Sequence, residues 1–296
     1  MIQSDIFSFK NKEIIKPLLR GRDLEKWKYF YKNLYLLIIK YGQGDEIKNN
    51  YESIFNYLKQ HETKLKNRGQ VKNGQHHWLE LDNNPSDKYI ALFEKEKLIY
   101  PNMASGLYPV YDNLKYFTNQ KCFILTSNSI NLKYLNGLLA SNVINFIFSL
   151  IGSNLGSGGF DINKIFVEQL PLIIKDDSET HEVIIHMDEL IKLNNKINSY
   201  EKKFLLYLKN DLNIDNISKK LEKFYGLSEK ELIKEIKKYN KNFDENKLLD
   251  YFNNSKRNIL LLLEKILIKD SELNKLIYKI YKLNKTEIEI IENHLK

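Results

Sequence analysis

"INKIFVEQLPLIIKDDSETHEVIIHMDEL", residues 162–190, crosses the point at which the chain changes character. All five prolines, both tryptophans and eleven of the twelve glycines lie before residue 175; beyond it only Gly226 remains. Proline and glycine punctuate short elements and stop helices, so their disappearance predicts a change from strands and turns to long helices. Val183, Leu190, Ile197 and Phe204 fall seven apart, with Met187 and Leu208 on interleaved positions, so residues 180–209 read as a long helix with a coiled-coil-like seam. Asn194 and Glu201 interrupt that seam. Ile259, Leu262, Leu263, Ile266 and Leu267 repeat the stripe, Asp270-Ser271 reads as the start of another helical segment through Tyr281, and Asn284 with Glu287 three residues on reads as a capping box.

Upstream, "LYLLIIKY" (34–41), "EKLIYPNM" (96–103) and "KCFILTS" (121–127) are short apolar runs bounded by Gly, Pro, Asn and Asp, the pattern of buried strands. "LKYLNGLLASNVINFIFSLIG" (132–152) spaces its apolar residues three and four apart and reads as one amphipathic helix ending at Gly152. The expected fold class is α+β, a mixed α/β domain over 1–174 followed by an all-helical, coiled-coil-like region over 175–296.

The charge balance bounds the partners. Lys and Arg number 46 against 38 Asp and Glu, a net +8, which suits a polyanion; a solvated basic surface is the alternative. Cys122 is the only cysteine, so disulfide frameworks and thiolate zinc sites within this chain are excluded. No stretch reaches the roughly 18 apolar residues of a membrane span, and "MIQSDIFSFKNKE" lacks the apolar run of a secretory signal. A cytoplasmic protein without membrane contact is expected.

The glycine-rich "NLGSGGFDINKIFVEQLP" (154–171) invites a phosphate-cradle reading, but Phe160 and Asp161 follow Gly159 where a P-loop has Lys and Ser or Thr. A dinucleotide fingerprint started at Gly156 fails at Asp161. An amino-methyltransferase would carry Asn-Pro-Pro-Tyr or Asp-Pro-Pro-Tyr, whereas "NNPSD" (83–87) continues from Pro85 with Ser86 and Asp87. Glu62 and Lys64, with Asp45 upstream, have the spacing of a two-metal nuclease, yet lie in an expected helix, where a solvated face is the plain alternative. His76 and His77 are adjacent and therefore diverge, and no cysteine is available to complete a metal site. No catalytic, metal or cofactor residue is assigned.

Two basic stretches remain. "KQHETKLKNRGQVKNGQHHW" (59–78) sets Lys59, Lys64, Lys66, Arg68 and Lys72 against Glu62 alone, and interleaves them with Asn67, Gln70, Asn73 and Gln75. Cations hold phosphates, while amides and guanidinium groups bond base edges, so the segment has what a DNA reader needs; a flexible polar loop is the alternative. "KPLLRGRDLEKWKY" (16–29) places Arg20 and Arg22 on either side of Gly21, either to hold phosphate or to pair with Asp23 and Glu25.

Several segments together resemble a known family. "IIKPLLRGRDLEKW", "HHWLEL", "EKLIYPNMASG", "KCFILT", "LKYLNGLLASNVINFIFSLIG" and "INKIFVEQLPLI" stand in the order of the motifs of the TaqI-like C-terminal specificity domain, the target-recognition part of type IIG restriction-modification enzymes and related adenine methyltransferases, including those of phage-defence systems. "ELNKLIYKIYKLNKTEIEIIE" (272–292) is similar to the segment that closes many type IIG chains. The resemblance implies a surface turn at 152–161, with Phe166, Leu170 and Pro171 closing the recognition domain. It implies sequence-specific binding of double-stranded DNA without chemistry of its own. In the family a methyltransferase, often with a nuclease, precedes this region, so the chain is expected to be a separate specificity subunit or a piece of a longer enzyme. S-adenosylmethionine is then expected only on a partner methyltransferase domain or subunit, onto which the long helices would dock.

On this reading Arg68, Asn73, Gln75 and His76 contact bases, Lys64, Lys66, Lys72, Arg20 and Arg22 fix register through phosphates, and Asn102 and Ser105 line the same face. Two other classes stay open: a metal-dependent DNA nuclease, and a protein-interaction module that binds no DNA.

Overall fold

The computed structural model describes residues 10–156 and 158–295. The expectation of no secretory signal rests largely on residues 1–9, outside that set. The fold is α+β, with small sheets in the first part and long helices in the second. Packing divides the chain into two compact units. The first holds the residues up to Leu24, Tyr29–Ala104 and Val110–Asn128; the second holds Glu25–Lys28, Ser105–Pro109 and Ser129 onward.

In the first unit, β1 (Ile15–Leu19) pairs antiparallel with β4 (Tyr35–Leu37) and parallel with β8 (Phe117–Thr118). A second sheet centres on β5 (Lys97–Pro101), antiparallel to both β7 (Val110–Asp112) and β9 (Cys122–Leu125). Every residue of β5 is buried, which is why its sequence reads as a near-continuous apolar run. All three strand expectations hold. Strands β2 (Leu24–Glu25), β3 (Lys28–Tyr29) and β6 (Met103–Ala104) are two residues long; between β4 and β5 in the chain come α1 (Gly44–Asn50), α2 (Glu52–Lys59), α3 (Glu62–Lys66), α4 (Gly69–Lys72) and α5 (Asp87–Phe93). Ile47, Ile54, Trp78 and Leu79 form the core under the first four helices, with Leu65 and Val71 packed against it.

In the second unit, the helix expected over 132–152 is two: α6 (Leu132–Leu139) and α7 (Asn142–Ile151), bent by 61°. Ser141 causes the break. Its hydroxyl accepts the Ile144 N–H as an N-cap and donates to the Leu138 carbonyl. The buried Asn145 amide then donates to the Leu139 carbonyl, which the bend leaves without a helical partner, and to the Ser141 carbonyl, which also accepts the Asn145 backbone N–H. The same side chain holds Leu107 through both its N–H and its C=O. The glycine-rich stretch forms a hairpin of β10 (Ser153–Asn154) and β11 (Phe160–Asp161), where Gly156 and Gly158 take φ of +75° and +76°. The glycines are there for left-handed backbone in an exposed turn.

After α8 (Lys164–Val167) and Pro171 come α9 (Ser178–Asn210) and α12 (Glu245–Ile280), joined through α10 (Lys219–Glu222) and α11 (Glu229–Ile236). Ion pairs Lys247–Asp211, Lys269–Glu189 and Lys279–Glu179 show that α9 and α12 run antiparallel. Val183, Met187, Leu190, Ile197, Phe204 and Leu208 are fully buried, as the seven-residue spacing requires. The expected helix start at Asp270-Ser271 is overturned: Phe252, Ile259, Ile266, Leu273 and Ile280 are all buried seven apart, so one apolar seam carries α12 straight through. The capping box at Asn284 holds and opens α13 (Lys285–His294). Among the described residues no single helix is long and apolar enough to cross a membrane.

Candidate nucleic-acid interface

The basic segment 59–78 folds as α3 and α4 rather than as an open loop. Leu65 and Val71 anchor it to the core, and Gly74, at φ +70°, turns the chain back toward Trp78. Arg68 sits at the junction. Its Nε donates to the Leu65 carbonyl at 3.1 Å, Nη2 donates to the carbonyls of Trp78 and Glu80 at 2.8 Å each, and Nη1 lies 3.1 Å from an Asp82 carboxylate oxygen. Four of the five guanidinium donors are thus committed inside the protein. A base contact from Arg68 would require these bonds to be given up.

Glu80 completes the scaffold. Its buried carboxylate accepts the backbone N–H groups of Gly42, Gly44 and His77 at 2.9, 3.2 and 2.9 Å. This one side chain ties the turn before α1 to the "HHW" strip. His76 is held by the same strip: its ring stacks on Tyr41 at 4.9 Å, Nδ1 donates to the His77 carbonyl, and Nε2 lies 3.4 Å from Asp82. Solvent does not reach its side chain. Single residue types gave no sign of these roles for Glu80, Asp82 and Tyr41, although Glu80 falls inside the quoted "HHWLEL".

What this scaffold leaves outward is a subset of the expected residues. Lys64, Lys72, Asn73 and Gln75 are exposed, and among the described residues their side chains have no partner. Lys66 pairs with Glu62 at 2.6 Å, one turn away, and lies 5.9 Å over the Trp78 ring. That pairing holds the Glu62 carboxyl below its usual value. Among the described residues no three His, Cys, Asp or Glu side chains come together as a metal site.

The structure brings a second group of expected residues together. Gly21 packs so closely on the β8–β9 turn that a Cβ there would lie 2.8 Å from the Lys121 carbonyl oxygen and 3.3 Å from Pro101. Asn102 donates its backbone N–H to that same oxygen at 2.9 Å. Arg22 and Lys121 are therefore neighbours of Asn102, and both are exposed without an ion pair among the described residues. Arg20 differs. Its guanidinium grips the buried Asp23 carboxylate through Nε and Nη2, both at 2.8 Å, so the pairing alternative is the one realised for Arg20. Ser105 is exposed and belongs to the second unit, whereas Asn102 belongs to the first.

Neighbouring residues 25–28 pack within the second unit. Trp27, at φ +69°, is buried; Lys26 meets Asp270 at 2.8 Å; and Lys28 lies 3.2 Å from the Tyr225 hydroxyl and 3.6 Å from Glu201. Burial raises the Glu201 carboxyl to about 7, with Lys28 opposing the rise. These lysines serve the protein interior.

Comparison with known families gives two matches. Residues 16–172 match the TaqI-like C-terminal specificity domain, and residues 176–277 match a domain of unknown function, DUF8810. The first span contains every candidate residue described above. No curated protein matches the chain.

Proposed function

The chain belongs to the TaqI-like C-terminal specificity domain family, and on that premise we propose that it selects the target site in duplex DNA for a methyltransferase or nuclease carried by another domain or subunit. The coarse role, DNA target recognition in restriction-modification, follows from the family. The finer assignment is our own. Asn73 and Gln75 are the base-reading residues, since their amides are exposed and can bond a base edge through two atoms at once. Lys64, Lys72, Arg22 and Lys121 fix the register on phosphates, with Asn102 beside the last two. Arg68, His76 and Arg20 support this surface from beneath. S-adenosylmethionine and the bond-making groups belong to the partner, and the complex works in the cytoplasm.

The observation that carries this reading is the division of labour around Arg68. Its internal bonds fix the turn into α4 and tie it to the strip at 78–82, and Lys72, Asn73 and Gln75, at the far end of that short helix, have side chains without a partner among the described residues. Groups held on a rigid support are what sequence readout needs.

Selection of bound duplexes from a random pool, with and without the cognate methyltransferase, tests it. One enriched motif is expected, and Gln75→Ala should relax it at a single position at a cost of about 1 to 3 kcal/mol. Equal retention of all sequences, or DNA turnover by the isolated chain, would sink the proposal.

A further inference from the structure

The helical unit carries a second basic surface. Lys192 and Lys196 of α9 and Lys265 and Lys269 of α12 line a shallow groove of about 310 Å3 floored by Leu193 and Ile268. The acid in its wall, Glu189, is already taken by Lys269 at 2.8 Å, and Glu272 meets the same ammonium at 2.9 Å. Lys192, Lys196 and Lys265 are exposed, and none has an ion pair among the described residues. On each helix the two lysines stand four apart, a spacing at which like charges repel and weaken the helix. Lys247 of the same pair is matched by Asp211 and Lys279 by Glu179, whereas Lys202, Lys203 and Lys275, like the three groove lysines, have no ion pair among the described residues. What sets the groove apart is that it gathers such lysines from both helices around one depression.

At the end of α12 a second groove, of about 480 Å3, is lined by Lys275 and by Lys282 just past the helix. From residue 265 to its end at residue 280 the helix rises about 22 Å, enough to follow several phosphates. Lysine offers a compact charge, and the first groove holds no arginine, asparagine or glutamine with which to read bases. We propose that Lys192, Lys196 and Lys265 grip the phosphodiester backbone of duplex DNA without regard to its sequence. Binding there releases condensed counterions and adds affinity to the selective contacts of the first unit. The inference rests on the reading of the chain as a duplex binder, and the other occupant such a groove would suit is an acidic protein helix.

The test uses the full chain and its triple variant Lys192→Gln, Lys196→Gln, Lys265→Gln, with the selected duplex and a scrambled duplex as probes across a salt series. An unchanged melting temperature shows that the variant is folded, as expected for three exposed positions. The slope of log affinity against log salt should become shallower by about 2 to 3, by the same amount for both duplexes. An unchanged slope in a chain that still prefers its selected site overturns this inference alone and leaves the protein helix as the occupant. A loss confined to the selected duplex also overturns it, since it would mean base readout. If the unsubstituted chain prefers no sequence, the reading of target recognition fails, while the slope still decides the groove.

Discussion

Lys97 Nζ lies 2.5 Å from Asp112 Oδ2 in the first unit, and both side chains are buried. The two residues face each other across the β5–β7 ladder. Each has further bonds: Nζ donates to the Phe93 carbonyl at 2.8 Å, while the carboxylate accepts the backbone N–H groups of Leu114 and Tyr116 at 2.8 and 3.0 Å. A buried pair with its remaining hydrogen-bonding capacity filled tolerates burial, whereas half of it does not. Asp112 also shapes the turn that leads from β7 to β8, and β9 in turn carries the Lys121 corner.

Lys97→Met should therefore destabilise the protein by about 3 to 5 kcal/mol, because it strands a buried carboxylate. Adding Asp112→Asn should recover part of that loss, since the amide still accepts one of the two backbone bonds. Urea midpoints of the single and double variants decide. A single variant as stable as the parent would show that the pair is not shielded as described.

Arg68→Ala should act on stability first. It leaves the Trp78 and Glu80 carbonyls without their donor and removes a partner of Asp82, for an expected loss of about 2 to 4 kcal/mol. Arg68→Lys should not restore it, since an ammonium cannot reproduce the planar fork that reaches both carbonyls. Chemical denaturation gives the first number. A stable alanine variant with altered base preference would instead return Arg68 to the base-reading group.

Gly21→Ala tests the corner that joins Arg22 to Lys121. The new methyl carbon would sit 2.8 Å from a backbone oxygen, which has no flexible side chain to yield, so a cost of about 1 to 3 kcal/mol is expected. Duplex affinity should fall as well, uniformly across sequences, because the displaced groups are cations. Unchanged affinity in a destabilised variant would remove this corner from the interface.

Glu201 gives a pH signature. Its carboxyl is raised from 4.5 to about 7 in the folded chain, chiefly by burial. Between those values the folded state keeps a proton that the unfolded state releases, so this group subtracts stability as pH rises from about 4.5 to about 7, by about 3 kcal/mol at most. Below that window it subtracts nothing. Glu201→Gln removes the titration while retaining an acceptor for Lys28, so the parent should lose stability relative to the variant as pH rises from 5 to 8. Parallel stability curves would refute the assignment.

Period and punctuation alone determined the α+β class, the strands around Ile99 and Ile124, the long helix over 180–209 and the cap at Asn284, because these are local properties of a chain that must bury one face. Two boundaries escaped. Ser141 and Asn145 break a helix that apolar spacing runs together, and the seam through Ile266, Leu273 and Ile280 fuses helices that the Asp270-Ser271 signal divides; the Asn145 bonds to Leu107 and the burial of that seam outweigh the local pattern. Charge showed where cations cluster, but only the tertiary structure decided which are free. Arg20 closes on Asp23 three residues on and Arg68 on carbonyls within its own segment, while Lys26 and Lys28 reach a carboxylate and a hydroxyl far away in sequence; Lys64, Lys72, Arg22 and Lys121 make no such bond among the described residues, and a side chain's partners are set by the fold that surrounds it.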